Sequence, residues 1–226
     1  MNRSCASPPP TTARIAAMAK HLYRTGPRLR RIMQHLRPYN CPLDVLLALL
    51  PDHGSLLDIG CGSGILLGLA ALSGKAISAI GIDTSEASLC MARAMQSGLD
   101  RDLPACLVFQ KTCDIDDWPD GKFDMVSMID VMHHVPPGEQ AAVFGAAAAR
   151  LKPGGILLYK DMVRRPLWRA WLNRLHDLLV ARQWIHYYPV TRIDAAARDL
   201  GLILQRSETI NRLWYGHELR VYQAPV

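Results

Sequence analysis

The feature that most constrains the fold of this 226-residue chain is a run of glycines directly after a short apolar segment. Residues 56–64 read Leu-Leu-Asp-Ile-Gly-Cys-Gly-Ser-Gly, and an apolar, helix-forming stretch follows them. Glycine tolerates positive φ and lets a ligand approach the backbone closely, while the start of a helix offers unpaired N–H donors. The pattern therefore predicts a strand, a binding turn and a helix that together hold a nucleotide-like ligand.

Strand and helix patterns alternate after this turn. Short apolar runs separated by helical patterns of ten or more residues call for crossover connections and a parallel sheet with helices on both faces. The predicted strands are Ser55–Asp58, Ala76–Asp83, Leu107–Lys111, Phe123–Val131 and Ile156–Tyr159, and the predicted helices are Gly62–Ser73, Ser85–Gly98 and Gly138–Leu151. The sequence thus predicts a doubly wound α/β fold.

The segments on either side of this core differ from it. A flexible tail is expected over 1–12, and apolar spacing over 13–50 predicts three short helices, broken at Gly26-Pro27 and near Pro38 and Pro42. A long amphipathic helix is predicted over 165–187, then a helix over 192–201 and an antiparallel hairpin of strands 202–210 and 213–222. We expect one domain over 13–226, divided into an N-terminal helical cap (13–54), a cofactor-binding core (55–163), an inserted lid (164–190) and a C-terminal helix and hairpin (191–226).

Composition narrows the class of protein further. The six cysteines form no C-x-x-C pair, so neither a zinc site nor a disulfide framework is indicated. No apolar run reaches the length of a membrane span and no signal-peptide core is visible, so we expect a cytosolic protein. The net charge of +6 is concentrated at the two ends of the chain, and a solvated basic surface explains it better than a polyanion site.

Two kinds of nucleotide-like ligand fit the glycine turn. A dinucleotide fingerprint, G-x-G-x-x-G, would place its third glycine where this chain has Ile65. Asp83, at the end of the next predicted strand, lies where a carboxylate accepts hydrogen bonds from ribose hydroxyls. Because that carboxylate suits either ligand, the turn and Asp83 alone do not choose between them.

Five motifs in a fixed order cover residues 55–160 and are together far more specific than the turn alone. They are Asp58–Gly64, Gly81-Ile82-Asp83, Asp114-Ile115, the segment from Phe123-Asp124-Met125-Val126 to Asp130-Val131-Met132-His133-His134-Val135, and Leu151-Lys152-Pro153-Gly154-Gly155. In this order they resemble the motifs of class I S-adenosylmethionine-dependent methyltransferases, and most of all the branch that methylates small molecules such as ubiquinone precursors and polyketides. The resemblance implies a seven-stranded sheet whose last strand is antiparallel, which agrees with the predicted hairpin.

The resemblance also implies a set of contacts to S-adenosylmethionine, whose product would be S-adenosylhomocysteine. Gly60, Cys61, Gly62 and Gly64 would form the turn around its methionine and ribose parts. The implied side-chain and backbone contacts are Asp58 near the ammonium group, Asp83 on the ribose diol, Thr84, Asp114 and Ile115 around the adenine, and Met128 and Ile129 at the methionine end. No metal ion is expected.

The end of the fourth predicted strand bears on the substrate. It reads Ser127-Met128-Ile129-Asp130. Related enzymes that methylate exocyclic amines of bases or glutamine carry Asn/Asp-Pro-Pro-Tyr there, and those that methylate base carbons carry a Pro-Cys pair. Since this chain has neither signature, a nucleic-acid substrate is disfavoured.

The chemistry of methyl transfer indicates what else the site needs. A sulfonium already activates its methyl group, so the protein must align the nucleophile and, for a phenol, remove its proton. His133 and Asp161 follow neighbouring predicted strands and should meet at the carboxyl edge of the sheet. We expect His133 to be the general base and Asp161 the carboxylate that orients it, although a capping or core role for His133 fits equally well. A structural role is favoured for His134 and, slightly, for Asp130.

The predicted lid is where an acceptor would be recognised. Trp168, Trp171, Tyr187 and Tyr188 are predicted to cover a hydrophobic or aromatic acceptor, while the arginines of this segment could instead contact an anionic membrane surface or an acidic acyl carrier protein. The predicted function is methyl transfer to a small aromatic or lipid-like acceptor, at oxygen or, as second choice, at carbon. The alternatives are an NAD-type oxidoreductase and a catalytically silent cofactor-binding or scaffold subunit.

Overall fold

The structure is a computed structural model that describes residues 10–163, 189–213 and 215–226. Seven strands form one sheet in the order β3-β2-β1-β4-β5-β7-β6. They are β1 (His53–Ile59), β2 (Ala76–Asp83), β3 (Cys106–Lys111), β4 (Phe123–Ile129), β5 (Leu151–Met162), β6 (Ile203–Arg212) and β7 (Tyr215–Gln223). The first five strands pair in parallel, and β7 is antiparallel to both of its neighbours. The predicted doubly wound α/β fold with an antiparallel last strand is confirmed.

Helices cover both faces of the sheet. The described ranges contain α1 (Thr12–Leu22), α2 (Arg28–Asn40), α3 (Leu43–Leu49), α4 (Ile65–Leu72), α5 (Glu86–Ser97), α6 (Gln140–Ala148) and α7 (Val190–Asp199). Because successive side chains of a strand point to opposite faces, Leu56 packs in one buried cluster with α1, α3, α4 and α5, and Leu57 packs in the other with α6 and α7. None of these described helices is long and apolar enough to cross a bilayer.

Two predicted helix boundaries differ from the structure. The helix expected from Gly62 begins at Ile65, because Gly60, Gly62 and Gly64 have φ of 68°, 55° and 76° and form a left-handed turn before it. The helix expected to reach Leu151 ends at Ala148, and Leu151 instead begins β5, where it pairs with Phe123.

The expected break near Pro38 is also wrong, since α2 continues through this proline to Asn40. A proline removes one backbone donor from a helix, and here the loss falls in the last turn. The Pro38 ring is buried, and the helix ends in a hydrogen bond from Cys41 N to Arg37 O of 2.9 Å. Burial of the ring and the short distance to the end of α2 explain why the helix is not interrupted.

The strand order creates the opening in which the site lies. β1 pairs with β2 on one side and with β4 on the other, so the chain changes direction across the sheet at this point. In open α/β sheets ligands bind beyond the carboxyl ends of the strands at such a switch point. The antiparallel β7 adds a residue to this edge, because His217 lies opposite Met162 at the end of β5.

Candidate active site

The glycine turn and the end of β2 are joined by hydrogen bonds. Gly62 N donates to Asp83 Oδ2 at 2.8 Å, and Ser85 N donates to Asp83 Oδ1 at 2.7 Å. These two contacts fix the carboxylate while leaving each oxygen a further lone pair. A methyl group added at Gly62 would meet no atom within 4 Å, so the backbone of the turn faces open space beside Asp83.

The N-terminal helices hold the turn from the other side. The Tyr23 hydroxyl, at the end of α1, is buried and donates to Ser63 O at 2.7 Å. Burial raises the pKa of Tyr23 far above its usual value, with a smaller contribution from the charge on Cys61, so the hydroxyl stays a neutral donor. The contact ties the turn to a segment forty residues earlier in the chain.

Asp58, at the end of β1, is almost fully buried beneath the turn. Ser127 Oγ donates to Asp58 Oδ1 at 2.6 Å. Burial raises the pKa of Asp58 to about 7, opposed by the Ser127 hydrogen bond and assisted by the negative charge of Asp83. The carboxyl group can therefore change its charge near neutral pH, and a cationic group placed beside it would favour the ionised form.

His133 and Asp161 form a buried pair between the ends of β4 and β5. The distance from His133 Nδ1 to Asp161 Oδ1 is 2.5 Å, and His133 N also donates to Asp161 Oδ2 at 3.2 Å. Met162 N donates to Asp161 Oδ1 at 2.7 Å. Since a carboxylate only accepts, Nδ1 carries the proton of this bond and the ring lone pair lies on Nε2.

Asp130 lies beside this pair in an unusual backbone conformation, with φ of 58°. Its carboxylate accepts from Lys160 Nζ at 2.6 Å and from Arg37 Nη2 at 2.9 Å, and the Lys160 side chain is fully buried. Burial opposes ionisation, but the charges of Lys160 and Arg37 hold the pKa of Asp130 well below its usual range. The cluster therefore carries two positive charges against one negative charge.

These residues line two adjoining cavities. A cavity of about 280 Å³ is lined by the glycine turn, Asp58, Asp83, Asp130 and His133. A cavity of about 1110 Å³ extends from Asp83 towards Thr84, Asp114 and Ile115. Gly60, Asp83 and Asp130 line both, so the two spaces meet at the glycine turn.

A protein-family model described as a methyltransferase domain matches residues 32–206. The chain belongs to this methyltransferase family. The predicted enzyme class is thereby confirmed, together with S-adenosylmethionine as the family's cofactor.

Curated relatives match the methyltransferase over part of its length. Ubiquinone biosynthesis O-methyltransferase of Azotobacter vinelandii is 35% identical over 113 residues, which are 49% of this chain and 45% of that protein. The protein of the same name from Bordetella bronchiseptica is 35% identical over 113 residues, with 49% and 44% covered. The matched region is thus less than half the length of these relatives.

Solved structures share the fold of the methyltransferase. An S-adenosylmethionine-dependent methyltransferase from Methanosarcina mazei has a TM-score of 0.64 at 19% identity, covering 80% of this chain and 97% of that one. Magnesium protoporphyrin IX methyltransferase from Synechocystis PCC 6803 with bound SAH has a TM-score of 0.68 at 19% identity, covering 92% and 93%. At these identities the likeness concerns the fold alone.

The residues present in the methyltransferase fit the family's cofactor. The cavity beside Gly62 is lined by the carboxyl groups of Asp58 and Asp83. The larger cavity adds the exposed Asp114 and the half-buried Ile115. One further group of side chains could in principle hold a metal ion, since one ligand atom each of Asp130, His133 and Asp161 lies within 4.8 Å of the others. Because Asp130 already pairs with two cations, we assign no metal to this group.

Most predicted cofactor residues line the cavities, and two do not. Gly64 packs against Phe109, where an added methyl group would lie 2.7 Å from its ring, and Met128 is fully buried in the core. His134 is exposed and lines both cavities, and its ring centroid lies 4.0 Å from that of His133, so it is not part of the core; the structural role favoured for it stays a prediction. Asp130, for which a structural role was slightly favoured, pairs with two side-chain cations. The predicted acceptor-binding residues and the arginines of the predicted lid lie outside the described residues. The predicted acceptor-binding residues are Trp168, Trp171, Tyr187 and Tyr188.

Three residues of the site were missed by the sequence reasoning. Tyr23 and Arg37 come from the N-terminal helices, and His217 comes from β7. None of them lies in a motif with a fixed spacing to the glycine turn. The apolar pattern before residue 50 predicted the N-terminal helical cap that carries Tyr23 and Arg37, but it did not indicate which of the cap's side chains reach the site.

Proposed function

We propose that this methyltransferase moves a methyl group from S-adenosylmethionine to an oxygen atom of a small aromatic or lipid-like acceptor, with His133 as general base. The observation that carries the proposal is the His133–Asp161 pair, 2.5 Å apart, in the wall of the cavity that also contains the glycine turn. Methyl donor and proton acceptor would then face the same space.

The cofactor would be held by residues at the ends of β1, β2 and β3. Asp83 would accept hydrogen bonds from the ribose hydroxyls, Asp114 and Ile115 would contact the adenine, and Asp58 would pair with the ammonium group. When bound, S-adenosylmethionine supplies a methyl group on a positively charged sulfur, which is a good electrophile. The protein's own task is to orient the incoming oxygen and remove its proton.

His133 is suited to remove that proton. With Nδ1–H donated to Asp161, the basic lone pair is on Nε2, and the carboxylate stabilises the imidazolium that forms when the acceptor's proton is taken. An aromatic hydroxyl has a pKa near 10 in water, so most of it is protonated at neutral pH. Removal of its proton by a positioned imidazole increases the fraction of the reactive phenolate. Oxygen is preferred over carbon because the curated relatives that match half of the chain are named O-methyltransferases.

The test is methyl transfer with a panel of phenols and lipid-like alcohols, read by mass spectrometry as the gain of one CH₂. Once an acceptor is found, His133→Ala should lower kcat by roughly 10²- to 10⁴-fold while leaving the affinity for S-adenosylhomocysteine unchanged. Asp161→Asn should also lower kcat, because the amide can no longer orient the ring as a carboxylate does.

His134→Ala is the matched control, since the neighbouring ring also lines the smaller cavity. Its kcat should stay within a few fold of wild type. If His133→Ala behaved like His134→Ala, His133 would not be the base. A chain that bound S-adenosylhomocysteine but methylated no acceptor in the panel would instead fit a cofactor-binding subunit.

A further inference from the structure

His217 is a buried histidine that the mechanism above does not use. It lies on β7 opposite Met162 and is 2% exposed, and its side chain lines the smaller cavity together with His133 and the glycine turn. Neither Nδ1 nor Nε2 has a partner at full hydrogen-bond geometry in the part of the chain that the structure describes, and the Asn40 carbonyl is the backbone acceptor that acts on the ring. Since the ring lines the smaller cavity, a group bound in that cavity can supply a partner.

The imidazole of His217 is neutral at physiological pH. Burial lowers its pKa to about 3, and the nearby positive charges of Lys160 and Arg37 add to the effect. The Asp130 carboxylate and the backbone carbonyl of Asn40 act in the opposite direction but do not reverse it. A neutral ring has one N–H donor and one nitrogen that can only accept a hydrogen bond.

Buried polar atoms in folded proteins almost always have a partner, because losing water without gaining a hydrogen bond is unfavourable. The Asn40 carbonyl can accept a hydrogen bond, so it favours the tautomer in which the ring nitrogen facing it carries the proton. The other nitrogen then needs a donor. A ligand bound in this cavity can provide that hydrogen-bond donor.

The charges around His217 restrict what kind of donor fits. Three charges act on the His217 ring, the positive charges of Lys160 and Arg37 and the negative charge of Asp130, so an ammonium donor bound directly to this ring would meet net repulsion there, whereas the carboxyl groups of Asp58 and Asp83 line another part of the same cavity. A neutral hydroxyl avoids this repulsion and still donates a hydrogen bond. The environment therefore favours an uncharged O–H group over an amine cation.

We propose that His217 binds the acceptor substrate by accepting a hydrogen bond from a neutral hydroxyl group. This deepens the function proposed above and rests on it, since the acceptor is taken to occupy the cavity between the glycine turn and β7. His133 would then take the proton of the oxygen that is methylated, while His217 would hold and select the acceptor from the opposite strand.

Phenol and anisole form a matched pair of probes, because they share the ring but only phenol donates a hydrogen bond. With ¹⁵N-histidine-labelled full-length chain, in the presence and absence of S-adenosylhomocysteine, phenol should shift the ring nitrogen signals of His217. Anisole at the same concentration should leave them in place. Signals that do not move with phenol, or that move equally with both probes, overturn the proposal.

Two substitutions separate binding from structure. His217→Phe keeps the flat ring without the nitrogens, so the phenol affinity should fall by about tenfold to the level of anisole. Its melting temperature should be equal or higher, because two buried polar atoms without partners are removed. His217→Gln retains an acceptor oxygen and should restore part of the preference for phenol. With an acceptor from the methylation panel, His217→Phe should raise KM while kcat changes by less than about threefold.

The failure of this proposal can be told apart from failure of the proposed function. If His217→Phe weakens S-adenosylhomocysteine as much as phenol, His217 binds the cofactor and the assignment to the acceptor is wrong. If the chain binds no S-adenosylhomocysteine, the proposed function fails, whereas the phenol and anisole comparison can still be read on the chain alone.

Discussion

The two sides of the cavity are built from different groups. Between β1 and β2 the polar groups are backbone amides and a carboxylate, Asp83, that is already hydrogen-bonded to them. Between β4, β5 and β7 they are buried ionisable side chains that pair with one another, such as Lys160 with Asp130 and His133 with Asp161. The first side depends on local backbone conformation, and the second depends on charges brought together from distant parts of the chain.

The charged side should be the most sensitive to loss of a single partner. Lys160→Met removes one of the two cations that pair with the largely buried Asp130 carboxylate among the described residues and leaves Arg37 as the other, and we expect the free energy of unfolding to fall by about 3 kcal/mol. Lys152→Met is the control on the same strand, since Lys152 pairs with Asp124 at 2.8 Å but both side chains are more than 40% exposed. It should cost less than about 1 kcal/mol in denaturant unfolding. Equal losses in the two variants would contradict the difference between the two sides.

The backbone side should respond in ligand affinity more than in stability. Gly62→Ala places a methyl group in the cavity, so the affinity for S-adenosylhomocysteine should fall by roughly 100-fold, measured by calorimetry. Gly74→Ala is matched to it, because Gly74 has φ of 76° and also has no atom within 4 Å of an added methyl group, but it lines neither cavity. Both variants should lose about 1 to 2 kcal/mol of stability from the left-handed conformation. A normal affinity in Gly62→Ala would show that the cofactor does not approach this turn.

Asp58 connects the two sides, because it lies at the end of β1 and accepts a hydrogen bond from Ser127 on β4. Its contribution to the free energy of unfolding should depend on pH. Its folded-state pKa of about 7 lies above the ordinary aspartate pKa of 3.8, so the folded chain holds the proton more tightly than the unfolded chain does. The contribution of Asp58 to stability is therefore largest at low pH, falls as pH rises from about 4 to 7, and is constant above that. Relative to Asp58→Asn, wild type should lose roughly 2 kcal/mol between pH 5 and pH 7 in urea unfolding. A constant difference between the two proteins across this range would contradict the raised pKa.

The sequence was sufficient to predict the side of the site whose residues lie close together along the chain. The glycine turn and Asp83 were predicted because turn chemistry and strand ends follow from the order of residues over about thirty positions, and the role of Asp58 was implied by the family resemblance. The pairing of His133 with Asp161 was also foreseen, since parallel neighbouring strands end at the same edge. Their catalytic roles remain predictions.

The other side could not be foreseen in the same way. Arg37 reaches Asp130 across 93 positions, and His217 lies on a strand whose register against β5 is set by pairing instead of by a motif. The positive φ of Asp130 is likewise not specified by a motif, since only a small share of residues other than glycine adopt this conformation. Such contacts depend on how the cap and the hairpin pack, which local residue patterns do not specify.

The most direct test of the central claim is calorimetric titration of S-adenosylhomocysteine into the full-length chain, beside an identical titration of NADH. The account predicts one binding event per chain with a dissociation constant in the micromolar range, a large loss of affinity in Asp83→Asn, and no heat from NADH. Heat from NADH alone, or an affinity for S-adenosylhomocysteine that Asp83→Asn leaves unchanged, would contradict it.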